Sequence, residues 1–324
     1  MPVQKTKGAE AVHPSGAAGT DAVIARSGRV RLDSPEGARV GTPALRHKTF
    51  DYRAIKGVLP TVLTPYDEHE QVDAAALEEQ VKYLLDSKVH GLVLMGSFGE
   101  SPYLNDADRE IIIRTVAETA AGVVPIVVGI TAHSTFVAAE QVRQAQRLGA
   151  SAVMVCLPQY FKLKFADVKR HFARLSEMSL LPIFYYHYPA ASGLDLKSDQ
   201  VAELVSLPNI AGIKESTFEM LAVKRHITLT RELDRVYLSG SELNFFQFMD
   251  LGGHGVVGAG SLIMPRTAVA MYESYEAGER IRARELQSLM FETMPLTKRI
   301  TAPVGLVRKA FLVALHQGLD VPLD

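Results

Sequence analysis

The chain has 324 residues, of which 47% are hydrophobic and 22% are charged, and its formal net charge is −1. This is the composition of an ordinary globular protein, and the near-neutral charge argues against a nucleic-acid partner or an anionic membrane surface. No apolar run reaches the roughly 20 residues of a membrane-spanning helix. Cys156 is the only cysteine, so an intrachain disulfide is excluded, and we expect a reducing, cytoplasmic compartment.

Residues 1–50 differ from the rest of the chain. They are rich in Gly, Ala, Arg and Ser, show no sustained hydrophobic period and contain no apolar core of a secretory signal. Such a segment has too little apolar surface to bury in a core of its own. We therefore predict a flexible N-terminal extension over residues 1–50.

From Lys56 onward, apolar strand-like runs alternate with amphipathic helical runs. The strand candidates are continuous apolar stretches, as is expected of parallel strands that are buried on both faces. They cover residues 57–65, 91–97, 125–130, 152–158, 182–189, 209–216, 236–241 and 255–260. The helices predicted between them cover residues 73–87, 106–121, 134–148, 165–178, 198–206, 218–230 and 242–251.

Eight strand–helix units favour an α/β fold of the (β/α)8 TIM-barrel type, which typically takes about 250 residues. An open doubly wound sheet is the competing architecture. However, no Gly-x-Gly-x-x-Gly follows the first strand candidate to support dinucleotide binding. We predict the barrel over residues 51–264 and an additional C-terminal helical region over residues 265–324.

A lysine at the end of the sixth strand candidate is the first indication of chemistry. Active sites of such barrels lie at the carboxyl ends of the strands, and Lys214 occupies such an end. A lysine is unusual in a buried strand unless it lies at an open end or has a chemical task. An apolar surrounding makes a lysine easier to deprotonate, and the neutral amine can attack a ketone to form a Schiff base. On this stretch alone, a lysine that leaves an edge strand for solvent remains the alternative.

Hydroxyl groups occur at several of the other strand ends. Ser97, Tyr160, Tyr186 and Ser216 all lie at or just after a strand candidate, and phenols and hydroxyls can shuttle protons. By residue type alone, the tyrosines could be ordinary strand or loop aromatics and Ser97 a turn residue. The sequence shows no cluster of His, Cys, Asp or Glu at metal-ligand spacing, so no metal site is predicted.

Four motifs at the strand ends resemble those of the superfamily of 4-hydroxy-tetrahydrodipicolinate synthase and N-acetylneuraminate lyase. They are Gly96-Ser97-Phe98-Gly99-Glu100, Pro158-Gln159-Tyr160, Tyr186-His187-Tyr188-Pro189-Ala190-Ala191-Ser192-Gly193 and Gly212-Ile213-Lys214-Glu215-Ser216. The similarity extends from about Gly57 to about Leu319. Members of this superfamily are (β/α)8 lysine aldolases that act on pyruvate or pyruvate-derived 2-oxo acids. The resemblance therefore implies no metal and no cofactor, only a covalent lysine imine with the substrate.

The resemblance also implies a role for each matching residue. Lys214 would form the imine, Tyr186 would move protons to and from the substrate, and Ser97 would bond that phenol and contact the pyruvate carboxylate. Tyr160 matches a tyrosine that completes a relay across a subunit interface, so a homo-oligomer is implied, usually a tetramer built as a dimer of dimers. The residues matched to substrate contacts are Ser97, Phe98, Gly99, Ser216, Glu242 and Val257.

Three positions depart from the pattern of the superfamily. Phe98 replaces a second hydroxyl, which would leave the substrate carboxylate to Ser97 and to backbone N–H groups. Ala191 replaces the arginine by which the synthase branch holds the carboxylate of its acceptor, and the loss of such a clamp is not neutral. Glu242-Leu243 keeps only one of the two acidic residues by which the sialic acid lyase branch binds sugar hydroxyls.

The sequence therefore predicts a class I aldolase or lyase, similar to N-acetylneuraminate lyase, that joins pyruvate to an aldehyde or releases it. Three alternatives stay open. They are a 4-hydroxy-tetrahydrodipicolinate synthase, a dehydratase of 2-keto-3-deoxy sugar acids that uses the same lysine, and a pyruvate-binding sensory protein on the same scaffold.

Overall fold

The structure is a computed structural model that describes residues 50–158 and 161–298. The extension predicted over residues 1–50 lies outside the described part except for Phe50, and so do Tyr160 and the helical region predicted beyond Lys298. None of the helices within the described ranges combines the length and the apolar character that crossing a bilayer requires.

Eight parallel strands form one sheet in the order β1-β8-β7-β6-β5-β4-β3-β2. The sheet also closes between β1 and β2, because Val62 N donates to Val93 O at 2.8 Å and Val93 N donates to Pro60 O at 3.0 Å. The predicted (β/α)8 barrel is thereby confirmed. The strands are β1 (Gly57–Val58), β2 (Leu92–Leu94), β3 (Ile126–Ile130), β4 (Ala152–Cys156), β5 (Ile183–His187), β6 (Ile210–Glu215), β7 (Val236–Ser239) and β8 (Gly255–Val256).

The first and last strands are much shorter than predicted. The prediction of a continuous strand over residues 57–65 is wrong beyond Val58, because Pro60 has no N–H to donate to a neighbouring strand. Beyond it only an isolated bridge pairs Thr61 with Val93. The prediction of a strand over residues 255–260 is wrong beyond Val256. There the chain turns into a short helix that begins at Gly260.

Helices follow the strands and surround the barrel. Those after β1 to β4 begin and end close to the predicted residues, and the last two of the three helices after β8 confirm the predicted C-terminal helices. The predicted helix over residues 242–251 is instead a 3-10 turn, Glu242–Asn244, followed by a short α-helix. The α-helices are α1 (Ala74–Asp86), α2 (Asp106–Ala120), α3 (Thr135–Arg147), α4 (Phe165–Met178), α5 (Pro189–Ser192), α6 (Ser198–Val205), α7 (Met220–Thr230), α8 (Phe245–Asp250), α9 (Gly260–Ile263), α10 (Pro265–Glu276) and α11 (Arg280–Lys298).

The hydrophobic core has two layers, one inside the barrel and one between the strands and the helices. Alternate residues of a strand face opposite sides of a sheet. In β5, Phe184 and Tyr186 belong to the inner layer, whereas Ile183 and Tyr185 belong to the outer one.

An extra residue in β6 interrupts this alternation. Ile183 pairs with Ile210, but the next residue, Phe184, pairs with Gly212, so that β6 carries one residue more than β5 at this point. Such a bulge changes the face on which the following side chains lie. As a result, Lys214 lies on the same inner face as its partner in register, Tyr186.

Candidate active site

Lys214 and Tyr186 are direct neighbours at the carboxyl end of the barrel. They are partners in register on β6 and β5, and Lys214 Nζ lies 4.1 Å from the centroid of the Tyr186 ring. Both side chains are almost enclosed, with 5% of Lys214 and 8% of Tyr186 exposed. The structure thus brings together an amine and a phenol in a largely apolar wall. An amine in such a place can act as a nucleophile and a phenol beside it can exchange protons.

Ser97 reaches this pair from the turn after β2. Its Oγ lies 3.5 Å from the phenolic oxygen of Tyr186, at the outer limit of a hydrogen bond. The turn is tightly built: Met95 and Glu100 have positive φ angles of 51° and 56°, and Thr64 Oγ1 donates to Gly99 O at 2.8 Å. A Cβ at Gly99 would lie 3.0 Å from backbone atoms of Met95 and Val62, so only a glycine fits this turn without displacing them.

Tyr188 is a site residue to which the sequence assigned no role. Its ring stacks on that of Tyr186, with centroids 5.5 Å apart and an interplanar angle of 19°. Burial raises the pKa of Tyr188, and the neighbouring Tyr186 raises that pKa further. The signal was available, because Tyr188 lies two residues beyond Tyr186 at the end of the same strand.

A cavity of about 360 Å³ opens over Lys214. Of the residues predicted to contact substrate, Ser97, Phe98, Ser216, Glu242 and Val257 line this cavity, whereas Gly99 does not. Residues that were not predicted to contact substrate also line it, namely Tyr188, Glu215, Thr217, Phe218, Gly240, Ser241, Leu243, Asn244 and Ala259. Among all these lining residues Lys214 is the only one with a cationic side chain.

A second cavity of about 320 Å³ lies on the other side of the stacked tyrosines. It shares Ser97, Tyr186 and Tyr188 with the first cavity. The rest of its lining is mainly apolar and small, and consists of Val93, Met95, Gly96, Ser101, Pro102, Tyr103, Gly129, Thr131, Met154, Cys156 and Ala191.

Glu242 is bound by the backbone rather than pointing freely at a ligand. It is only 1% exposed. One carboxylate oxygen accepts from Gly260 N at 3.2 Å and the other accepts from Ser261 N at 2.7 Å. Its carboxylate therefore joins the turn after β7 to the start of α9, which is a different task from the predicted binding of substrate hydroxyls.

Behind Lys214 and Tyr186, three buried side chains meet that the sequence did not bring together: His187, Glu215 and His226, which we call the Glu215 cluster. Each offers one ligand atom, and these atoms lie within 4.8 Å of one another, contrary to our expectation that no metal-ligand cluster exists. The Nδ1 atoms of His187 and His226 lie 2.7 and 3.1 Å from the Glu215 carboxylate oxygens. Ligands of a tetrahedral zinc ion, bound at about 2.0–2.1 Å, lie about 3.3 Å apart. The cluster as it stands is therefore hydrogen-bonded.

A lysine and a tyrosine that face a cavity at the carboxyl end of a closed parallel barrel define a barrel enzyme. Comparison with known proteins specifies its kind. The chain belongs to the dihydrodipicolinate synthetase family, whose model matches residues 54–320, and it is a carbon–carbon lyase of that family. The resemblance stated from the sequence motifs is thereby confirmed.

Individual relatives agree with this assignment. The chain is 32% identical over 275 residues to the 4-hydroxy-tetrahydrodipicolinate synthase of Methanoculleus marisnigri, covering 83% of this chain and 93% of that protein. The dihydrodipicolinate synthase structure from Thermotoga maritima has a TM-score of 0.73 at 29% identity and covers 77% of this chain and 85% of its own. The prophage protein YagE of E. coli K12, solved in complex with pyruvate, has a TM-score of 0.75 at 25% identity, covering 79% of this chain and 87% of its own.

Proposed function

We propose that Lys214 forms an imine with pyruvate or a pyruvate-derived 2-oxo acid and that the enzyme makes or breaks the carbon–carbon bond to an aldehyde. The observation that carries this proposal is the enclosed contact of Lys214 Nζ with the Tyr186 ring, at 4.1 Å, on the floor of a cavity that a small 2-oxo acid fits. Further support comes from the similar YagE structure, whose ligand is pyruvate.

The reaction can be written with the groups that line the cavity. The neutral amine of Lys214 attacks C2 of the 2-oxo acid, and Tyr186 returns a proton to the hydroxyl that leaves as water. In the direction of cleavage, a base takes the proton of the C4 hydroxyl and the C3–C4 bond breaks. Its electron pair moves to C3 and into the protonated imine, and an aldehyde departs. Protonation of the resulting enamine at C3 and addition of water release pyruvate and restore Lys214.

The acceptor aldehyde on this proposal carries no carboxylate or phosphate. Lys214 is the only cation among the residues that line its cavity, and Ala191 lines the second cavity with a methyl group where the synthase branch has an arginine. An anionic acceptor would find no further cationic side chain to pair with, and an unpaired charge in a partly desolvated site costs binding free energy. Aromatic walls at Phe98, Phe218 and Tyr188 with amide and hydroxyl groups between them suit an uncharged acceptor instead.

Other parts of the sequence-based interpretation stay proposals. We propose a homotetramer built as a dimer of dimers in which Tyr160 completes the proton relay, and a cytoplasmic location. Two activities remain as alternatives for the same lysine: 4-hydroxy-tetrahydrodipicolinate synthase, which is the name of several relatives, and dehydration of a 2-keto-3-deoxy sugar acid. Membership of a lyase family favours an enzyme over the sensory protein.

Borohydride reduction of the protein with pyruvate tests the proposal. We expect the mass of one reduced imine per chain, mapped to the peptide that contains Lys214. Lys214→Ala should abolish the adduct, and Lys224→Ala, at an exposed lysine of α7, should leave it unchanged. An adduct on another lysine, or none, would contradict the imine mechanism. Once the imine is established, product analysis distinguishes pyruvate and aldehyde from a dehydrated dioxo acid.

A further inference from the structure

The Glu215 cluster lies next to the reacting residues in sequence and in space, yet on the other face of the sheet. On β5 His187 directly follows Tyr186, and on β6 Glu215 directly follows Lys214. Tyr186 is the partner in register of Lys214, and His187 is the partner in register of Glu215. Adjacent residues of a strand point to opposite faces. The hydrogen bonds of the cluster therefore lie outside the barrel wall, toward α7, although Glu215 also borders the cavity that the lysine and the phenol face.

The carboxylate of Glu215 is held from three directions. His187 Nδ1 lies 2.7 and 3.0 Å from its two oxygens, and His226 Nδ1, from α7, lies 3.1 Å from Oε2. Thr217 N, from the turn after β6, donates to Oε1 at 3.3 Å. One carboxylate thus joins the end of β5, the end of β6, helix α7 and the turn that lines the cavity.

The arrangement of these groups suits an ionised Glu215. A carboxylate only accepts, so each facing Nδ1 has to carry a proton. Burial raises the pKa of Glu215, but the hydrogen bonds from His187 and His226 outweigh burial and lower the pKa below its ordinary value. The Nε2 atoms of both histidines are buried without a hydrogen-bond partner among the described residues, although His187 Nε2 lies 3.9 Å from the carboxylate of the exposed Asp195. A rearranged imidazole at His226 would therefore find no proton acceptor at its Nε2 atom among these residues.

Strand β6 needs such a clamp because of its extra residue. Register in a sheet is normally specified by the alternation of buried and exposed side chains, and a slip of one residue exchanges the two faces. The bulge between Ile210 and Gly212 already breaks that alternation just before the catalytic lysine. A slip there would turn Lys214 toward the helices and Glu215 into the cavity.

We propose that Glu215, together with His187 and His226, is a positioning group that clamps β5 to β6 in the register that holds Lys214 against Tyr186. The inference rests on the proposed function for its catalytic readout. It assigns to Glu215 no contact with the substrate. The clamp requires the negative charge, because a glutamine at position 215 sets its amide N–H2 against one of the imidazole N–H groups.

The test compares Glu215→Gln, His226→Leu and His226→Asn. Asparagine keeps an N–H donor close to the position of Nδ1, whereas leucine removes it. The control is His171→Leu, which removes a buried histidine of α4 that is hydrogen-bonded to Thr135 of α3. For each variant, turnover is divided by the number of active sites that borohydride traps, so that loss of folded protein does not count as loss of rate.

We expect Glu215→Gln and His226→Leu to lower kcat per trapped site by roughly tenfold or more, because small misplacements of reacting groups are costly. We expect KM for the 2-oxo acid to change by less than about threefold. His226→Asn should recover most of the rate, and His171→Leu should lose stability but not turnover per site. Unchanged turnover per site in Glu215→Gln, or equal losses in both His226 variants, would overturn the proposal.

Hydrogen exchange gives a readout that needs no catalysis. In Glu215→Gln the amides of residues 210–217 should exchange faster than in the wild type, while those of α4 stay as they are. Unchanged protection of the amides of residues 210–217 would refute the clamp, whatever the activity assays show. If the wild type forms no imine but protection falls in the variant, the proposed function fails and the clamp stands.

Discussion

Replacing Glu242 by glutamine should separate a structural role from a substrate contact at the mouth of the barrel. Glu242 is almost fully buried, and its two oxygens accept from Gly260 N at 3.2 Å and Ser261 N at 2.7 Å. The glutamine side chain would keep one of these bonds and would set its amide N–H2 against the other backbone N–H. The loss of one charge-assisted bond and the buried unpaired donor should together cost about 2–4 kcal/mol.

Thermal unfolding measures this cost directly. For a domain of this size, 1 kcal/mol corresponds to about 2–4 °C, so Glu242→Gln should lower Tm by roughly 5–15 °C. We expect KM for both substrates to stay close to the wild-type values at a temperature where the variant is folded. The matched control is Glu219→Gln, which alters an exposed glutamate before α7. A Tm equal to that of this control together with a raised KM would refute our reasoning and make Glu242 a substrate contact.

Three further predictions concern the phenol, the barrel wall and acid stability. Tyr186→Phe should lower kcat by roughly 10²–10⁴-fold while leaving Lys214 trappable, because it removes the proton shuttle; stopped-flow and borohydride trapping measure the two effects. Gly212→Ala should destabilise the fold by about 3 kcal/mol in denaturant titrations, since a Cβ there would lie 2.0 Å from Val236 O. At Gly193 an added Cβ would meet no atom within 4 Å, but the backbone φ is 66°, so Gly193→Ala should destabilise the fold by only about 1 kcal/mol. Burial lowers the pKa of His171 from 6.5 to about 4, so the unfolded chain binds a proton that the folded one does not. The free energy of unfolding should therefore fall by about 1.4 kcal/mol per pH unit between those values as the pH drops. In a plot of the urea midpoint against pH, His171→Leu should remove this decrease.

The fold was largely predictable because the barrel repeats one simple pattern. Helix α4 begins and ends where its amphipathic run does, at Phe165 and Met178. Strand ends were less predictable, since apolar residues continue past Pro60 although Pro60 itself cannot donate a ladder hydrogen bond. The order and spacing of four motifs sufficed to identify the family.

The parts of the site that the sequence did not reveal depend on distance and direction. His226 lies 11 residues and His187 28 residues from Glu215 along the chain, so that only the folded barrel brings them together. The direction of Lys214 depends on one extra residue in β6, which an apolar run does not display. Glu242 matched a family position by order, but its hydrogen bonds come from backbone groups that sequence matching does not see.

The stacked pair of Tyr186 and Tyr188 has an evolutionary consequence. Both rings line two cavities of similar size, and in the proposed mechanism only Tyr186 takes part in the chemistry. If that mechanism holds, we expect a smaller residue in place of Tyr188 to keep the reaction and to join the two cavities. Substrate range in this lineage can widen through one aromatic residue while the machinery beside it stays under selection.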